Sequence, residues 1–349
     1  MMGRKFFCLV FLCVHLENFR CHGDDVCKNE PRCLVSRTHG MKSIDCFHKD
    51  FKHFPKCVPS DAEVLDLSFN RIRKVGKSDL SKFKYLKLLY LNDNFFDSLQ
   101  NDTFEDLTDL ISLDMSQNNI KRIPSSVFNL PSLDKLYLRQ NFNLNMVASL
   151  ENVKPIKSPI SVIDISSTTE EDSASEFPDF GPMPYLSTLN ISENRFQIIA
   201  PRHLAGLCNL QTLININVSN NYLDSCDCWI INKWLLERKV QFNTFTCSIP
   251  EDNCLGKELK DEDKNVYDNC LEIIYAIEKE HRVLKICIGM GVSVLIVIIV
   301  LFFTYFYFIR NKRGSKNNST KIGNKNVPLE VPDGPLLLNN HPKANVVKL

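Results

Sequence analysis

The sequence predicts an α/β solenoid: a short horseshoe with a parallel sheet on its concave face, capped by disulfides and followed by one transmembrane helix. Three observations predict it. A motif of about two dozen residues recurs along the middle of the chain, cysteines crowd either side of it, and an uncharged apolar run lies near the C-terminus.

The repeat is read from leucine spacing and a recurrent asparagine. Leu65, Leu67, Asn70 and Ile72 form the first copy; Leu86, Leu89, Leu91, Asn94 and Phe96 the second. Leu110, Leu113, Met115, Asn118 and Ile120 repeat it, then Leu133, Leu136, Leu138 and Asn141. Ile160, Ile163 and Ile165 follow with Thr168 in the asparagine position, and Leu186, Leu189, Ile191, Asn194 and Phe196 restore the pattern. Leu213, Ile216, Val218, Asn221 and Leu223 read as the seventh and last copy. Alternation within Leu-x-Leu is that of a strand with one buried face. The asparagine can satisfy backbone groups that the following turn leaves unpaired. A single copy has too little core to fold, whereas stacking buries its leucines between neighbours. These residues resemble the leucine-rich-repeat family, which implies parallel strands along a concave face. At about 4.8 Å per strand, seven copies make an arc of about 30–35 Å. Thr168 replaces only part of an asparagine, so the fifth copy is the expected weak point. The acidic, Pro/Ser-rich stretch from Thr169 to Pro184 reads as a convex-side loop.

The two ends set the topology. Arg4 and Lys5 precede an apolar run, Phe6 to Leu16, with Cys21 and Gly23 suiting a signal-peptide cut before Asp24. Ile286 to Ile309 is uncharged and contains sixteen Ile, Val, Leu or Phe residues, enough to span a bilayer. Arg310, Lys312, Arg313 and Lys316 follow and favour the cytoplasmic side. The expected organisation is therefore signal peptide 1–23, N-terminal cap 24–61, repeats 62–223, C-terminal cap 224–271, juxtamembrane stalk 272–285, span 286–309 and an unstructured tail 310–349. This is a single-pass type I arrangement in the plasma membrane, N-terminus outside.

Ten of the 14 cysteines fall on the exported segment, an even number clustered at its two ends, which reads as disulfides. Cys27, Cys33, Cys46 and Cys57 precede the repeats, and Ile44, Asp45, Cys46, Phe51, Phe54 and Pro55 resemble an amino-terminal cysteine cap; its bonds stay unassigned. A zinc site from Cys46, His48, His53 and Cys57 is the alternative, disfavoured in an oxidising compartment. At the far end Cys226, Cys228, Trp229, Trp234, Leu235, Cys247 and Cys270 resemble a carboxy-terminal cap, a resemblance implying Cys226–Cys247 and Cys228–Cys270. Cys208 and Cys254 remain, and a bond between them would close the count.

No catalytic motif, metal motif or cofactor loop appears, the eight histidines are scattered, and the net charge of +1 gives no global field for nucleic acid. Binding is the positive case. The outward residue of each strand forms a column, Asp66, Tyr90, Asp114, Tyr137, Asp164, Asn190 and Asn217, flanked by Phe69, Lys87, Asn92, Gln117, Lys135 and Arg139. Of these Asp66, Phe69, Lys87, Tyr90, Asp114, Tyr137 and Arg139 are the candidate ligand-binding set, since aromatics and Arg dominate protein hot spots. The plain alternative is a solvated sheet face with stray tyrosines. Asn101, Asn190 and Asn217 begin glycosylation sequons, and sugars on the last two would mask the C-terminal half of the column. The whole resembles the ectodomains of Toll-like receptors and leucine-rich-repeat adhesion receptors, without the cytoplasmic signalling domain of the former. That resemblance implies a receptor subunit or co-receptor for an extracellular protein ligand, with innate immunity as its setting, a membrane signalling partner, and homo- or hetero-oligomers. An adhesion protein and a non-signalling decoy are the alternatives.

Overall fold

The computed structural model describes residues 30–151, 153, 155–169, 176–196, 199–216 and 226–318, with side chains through residue 310. The expected signal peptide, Cys27, Asn217 and most of the expected tail lie outside the described residues. The chain divides into two compact units, Met1–Lys279 and Glu280–Leu349.

The first unit is built on one sheet whose nine strands follow sequence order: β1 (Leu34–Thr38), β2 (Met41–Asp45), β3 (Val64–Asp66), β4 (Leu88–Tyr90), β5 (Ser112–Asp114), β6 (Lys135–Tyr137), β7 (Val162–Asp164), β8 (Thr188–Asn190) and β9 (Thr212–Ile214). β1 and β2 form an antiparallel hairpin around His39 and Gly40, both at positive φ as a two-residue turn requires. Every later pairing is parallel. Leu65, Leu89, Leu113, Leu136, Ile163, Leu189 and Leu213 stand side by side at the strand centres and are at most 2% exposed. Between strands the chain returns through α1 (Lys77–Leu80), a 3-10 turn (Ser125–Asn129), α2 (Met146–Leu150) and α3 (Pro201–Ala205). These return segments bury Leu80, Phe83, Phe104 and Phe128 against the back of the leucines.

The asparagines act as a ladder between coils. Asn94 donates to Leu91 O in its own coil and Leu67 O in the previous one, at 3.1 and 3.0 Å, while its Oδ1 accepts from Ile72 N at 3.0 Å. Asn118 and Asn141 repeat the pattern one coil further on, and Asn194 does so after the gap. The residue just before each rung, Phe69, Asp93, Gln117, Gln140, Ser167 or Glu193, is left-handed, with φ between 52° and 57°. Thr168 bonds only Ile165 O and Asn194 Oδ1, so the rung to coil four is missing. The fifth copy is the break that the sequence suggested.

Two expectations need correction. First, the last copy starts three residues earlier than its leucines implied. Asn190 pairs with Ile214, Leu210 and Leu213 are buried, Ile216 is exposed, and Asn215 fills the second inward site. Asn215 is tolerated there because it exchanges two hydrogen bonds with the backbone of Asn243, at 2.6 and 2.9 Å. The column therefore continues from Asn190 to Ile214. Second, β2 belongs to the ladder, with Ile44 beside Leu65 and Asp45 beside Asp66, so the repeats begin inside the N-terminal cap. The expected loop after Thr168 packs inward over its described part, burying Phe177, Phe180 and Met183. It approaches Gly206 so closely that a Cβ there would sit 2.1 Å from the Gly181 carbonyl oxygen.

The caps are disulfide-bonded, with different partners from those implied. Cys33 pairs with Cys46, Cys208 with Cys270, Cys226 with Cys254 and Cys228 with Cys247. Cys57 is also disulfide-bonded, which together with Cys33–Cys46 removes the zinc alternative. The reason is direction. Cys226 caps the helix α4 (Asp227–Glu237) and Cys228 is its second residue, so their side chains diverge by roughly 200°. Cys228, fully buried, meets Cys247 beside the buried Phe245, and the more exposed Cys226 meets the outer turn carrying Cys254. Cys208 is then left for Cys270 on the long helix α5 (Asp261–Asn318). As expected, Ile231, Trp234 and Leu235 turn one face of α4 into the core. A parallel bridge between Thr212 and Gln241 prolongs the sheet by one position.

α5 runs through the expected stalk and span and continues past residue 309 into the segment expected to be unstructured. By length and composition it is long and apolar enough to cross a membrane.

Candidate binding surface on the concave face

Register brings Asp45, Asp66, Tyr90, Asp114, Tyr137, Asp164, Asn190 and Ile214 into one outward column. The aspartates have a local task first. One carboxylate oxygen of Asp45, Asp66, Asp114 and Asp164 accepts the backbone N–H two residues on, each at 2.9 Å, and Asn190 does the same at 3.1 Å. These Asx turns end each strand cleanly. The tyrosines have no such task. Tyr90 and Tyr137 each stand between two acidic coils, half-buried, with their sides against the neighbouring rows.

The electrostatics follow from that alternation. Burial, then the charges of Asp66 and Asp114, push the Tyr90 phenol above its ordinary pKa, and burial with Asp114 and Asp164 does the same to Tyr137. Both phenols stay protonated donors at physiological pH. Burial also raises the Asp114 carboxyl, with Arg139 acting in the opposite sense. A surface results that offers hydroxyl donors, carboxylate acceptors and two aromatic faces within a few coils.

The candidate residues do not all converge. A depression of about 490 Å³ is lined by Leu88, Tyr90, Ile111, Ser112, Asp114, Asp134, Lys135 and Tyr137, so it joins Tyr90, Asp114 and Tyr137. Lys87 is committed to Glu63 at 2.7 Å and lines a separate depression with Arg37, Lys42 and Tyr85. Phe69 lies beyond the strand, its exposed ring 5.0 Å from Phe47. Asp66 continues the column, and Arg139 stays exposed two residues past Tyr137. Asp45, Phe47, Ile111 and Asp134 were missed from the sequence. Asp45 could have been found there, because Ile44-Asp45-Cys46 repeats the apolar-Asp-apolar pattern of Leu65-Asp66-Leu67. Among the sequons, Asn101 is exposed and Asn190 is half-buried.

Known proteins share the repeat. The leucine rich repeat family matches residues 84–142. Platelet glycoprotein Ib alpha chain of Mus musculus is 32% identical over 108 residues, 31% of this chain and 14% of that protein. Tsukushi-A of Xenopus laevis is 30% identical over 126 residues, 34% of this chain and 36% of its own. The chain thus spans well under half the length of these relatives. The crystal structure of human 5T4, a trophoblast glycoprotein, aligns with 66% of this chain and 94% of its own at 18% identity and a TM-score of 0.46. Repeat pattern, strand ladder and the match over residues 84–142 agree on the fold: a parallel-stranded leucine-rich-repeat solenoid with disulfides at its ends.

Proposed function

We propose that the chain is a cell-surface receptor subunit or co-receptor that binds an extracellular protein through its concave face. One observation carries this reading: Tyr90, Asp114 and Tyr137 converge on one depression at the centre of the arc. Amphipathic aromatics beside acids and bases are what protein hot spots use. Disulfides at both ends suit an exported segment, and the apolar helix followed by Arg310, Lys312 and Arg313 suits a type I anchor. The resemblance to Toll-like ectodomains makes innate immunity the setting, with signalling supplied by a membrane partner. Asp66 continues the column on one side of the depression and the exposed Arg139 lies two residues past Tyr137 on the other, whereas Lys87 and Phe69 stand apart from it. A glycan on Asn190 would shield the column beyond Tyr137.

The test is a screen of the full-length chain, displayed on cells, against a panel of cell-surface ectodomains and microbial extracts. Binders are then measured against Tyr90→Ala/Tyr137→Ala. Losing two hot-spot tyrosines should weaken the ligand by about 30-fold or more. Unchanged affinity would show that the concave centre is not where it binds.

A further inference from the structure

A second surface lies on the flank that each coil climbs after its asparagine rung. Backbone bonds fix its register: Arg71, Phe95 and Asn119 donate to Phe51, Ile72 and Phe96 of the preceding coil at 2.8, 3.0 and 2.9 Å. Lys121 N lies 3.4 Å from Asp97 O. In-register stacking places Lys52, Arg73, Asp97 and Lys121 in one row, and His53, Lys74, Ser98 and Arg122 in the next. Phe51, Ile72, Phe96 and Ile120 before them are buried, so each of these pairs is turned to solvent, and all are exposed.

The flank carries a large excess of positive charge, five cations against the single carboxylate of Asp97. Among the described residues no carboxylate lies within ion-pair reach of Lys52, Lys74, Lys121 or Arg122. Arg73 rests over Phe95, 5.4 Å from the ring centre. Asp50 is paired with Arg71 at 3.2 Å, and Asp97, which accepts from the Ser98 hydroxyl, is the one carboxylate within the rows. Lys77 and Lys84, on the return segment, are instead answered by Glu105 and Asp106. A chain with a net charge of only +1 thus concentrates five cations on one face of its first coils.

We infer that this flank binds a linear sulfated polysaccharide. From the cap coil to the third copy the rows run about 15 Å, at about 4.8 Å per coil. The two cation pairs, Arg73/Lys74 and Lys121/Arg122, stand two coils or about 10 Å apart with Lys52 beyond them, a spacing that can follow the sulfates of an extended chain, and guanidinium forks suit two oxygens of one sulfate. A lipid surface is the weaker match, because interfacial binding needs exposed apolar anchors and the one exposed ring between the rows is covered by Arg73. The disulfides favour an extracellular polyanion over nucleic acid.

The experiment uses the full-length protein in detergent on immobilised heparin. Wild type should be retained at physiological salt. Arg73→Ala/Lys74→Ala/Lys121→Ala/Arg122→Ala should bind at least about tenfold more weakly, with the salt slope of log affinity lower by about 2–4. Lys233→Ala/Lys257→Ala/Lys260→Ala/Lys279→Ala removes four exposed charges elsewhere and should leave retention unchanged. Arg73→Lys/Lys74→Arg/Lys121→Arg/Arg122→Lys keeps the charge and should retain binding, which separates the flank's role from any effect on folding. Tyr90→Ala/Tyr137→Ala should bind heparin normally, so this result stands apart from the concave-face reading. Absence of retention, equal loss in both alanine quadruples, or tighter binding to phosphatidylserine vesicles than to heparin would overturn the inference.

Discussion

Copies one to four and copies five to seven are made of the same motif but held together differently. In the first group Asn70, Asn94, Asn118 and Asn141 stand in unbroken succession, each binding its own coil and the previous one. In the second group Thr168 drops a rung and Asn215 replaces an inward aliphatic residue, while the disulfides Cys208–Cys270, Cys226–Cys254 and Cys228–Cys247 fasten the end. Both margins carry disulfides, but the first group has an unbroken polar ladder inside it, whereas the second has a gap in its ladder and three bridges at its end.

The largest effect should come from the covalent side. Cys208→Ser/Cys270→Ser opens a bridge of sequence separation 62, and chain entropy puts its loss at about 4 kcal/mol. Thermal unfolding of the purified chain would measure it, and a negligible shift would mean that the second half does not depend on its bonds. Next comes Asn118→Ala, which strands a buried amide at Phe96 and removes donors from three carbonyls, a loss of about 3 kcal/mol. Thr168→Ala should cost only about 1 kcal/mol, because Thr168 holds less. Equal losses at the two positions would erase the contrast. Thr168→Asn should go the other way, restoring a rung toward Leu138 O and gaining about 1 kcal/mol; a loss would show that coil five has settled around threonine.

The smallest expected effect concerns charge. Asn190 makes in the second half the same backbone bond that Asp114 makes in the first, with a neutral amide. Burial raises the Asp114 carboxyl, so as pH falls the folded protein takes up this proton before the unfolded chain does. Its charge therefore works against folding above the raised value, and that cost disappears as pH drops through it. Asp114→Asn should raise the unfolding temperature at about pH 7 and leave it unchanged at about pH 3. A drop at neutral pH would show that the carboxylate is wanted where it stands.

The same division marks what was legible in the sequence. From Leu65 to Asn194 the spacing of leucine and asparagine places strands, rungs and column correctly, because each buried site is filled by a residue type that burial demands. At the last copy two apolar alternations overlap, Leu210–Leu213 and Leu213–Ile216–Val218, and Asn215 disguises the true one because its compensation comes from Asn243, far along the chain. Cysteine pairing was equally hidden, since the roughly 200° between Cys226 and Cys228 follows only once the helix starting between them is known. In the candidate site, the column was readable by period, whereas Lys87's engagement with Glu63 and Phe69's distance from the depression depend on neighbouring coils.

The ladder also has a direction in time. The buried amide of Ile72 is answered by Asn94, that of Phe96 by Asn118, and that of Ile120 by Asn141, always by the coil that comes later. A chain emerging from the ribosome therefore carries, at every moment, one newest turn that only its successor can complete. At the clasp the order reverses, for the side chain of Asn215 answers the amide of the later Asn243, so that contact needs no further coil to complete it.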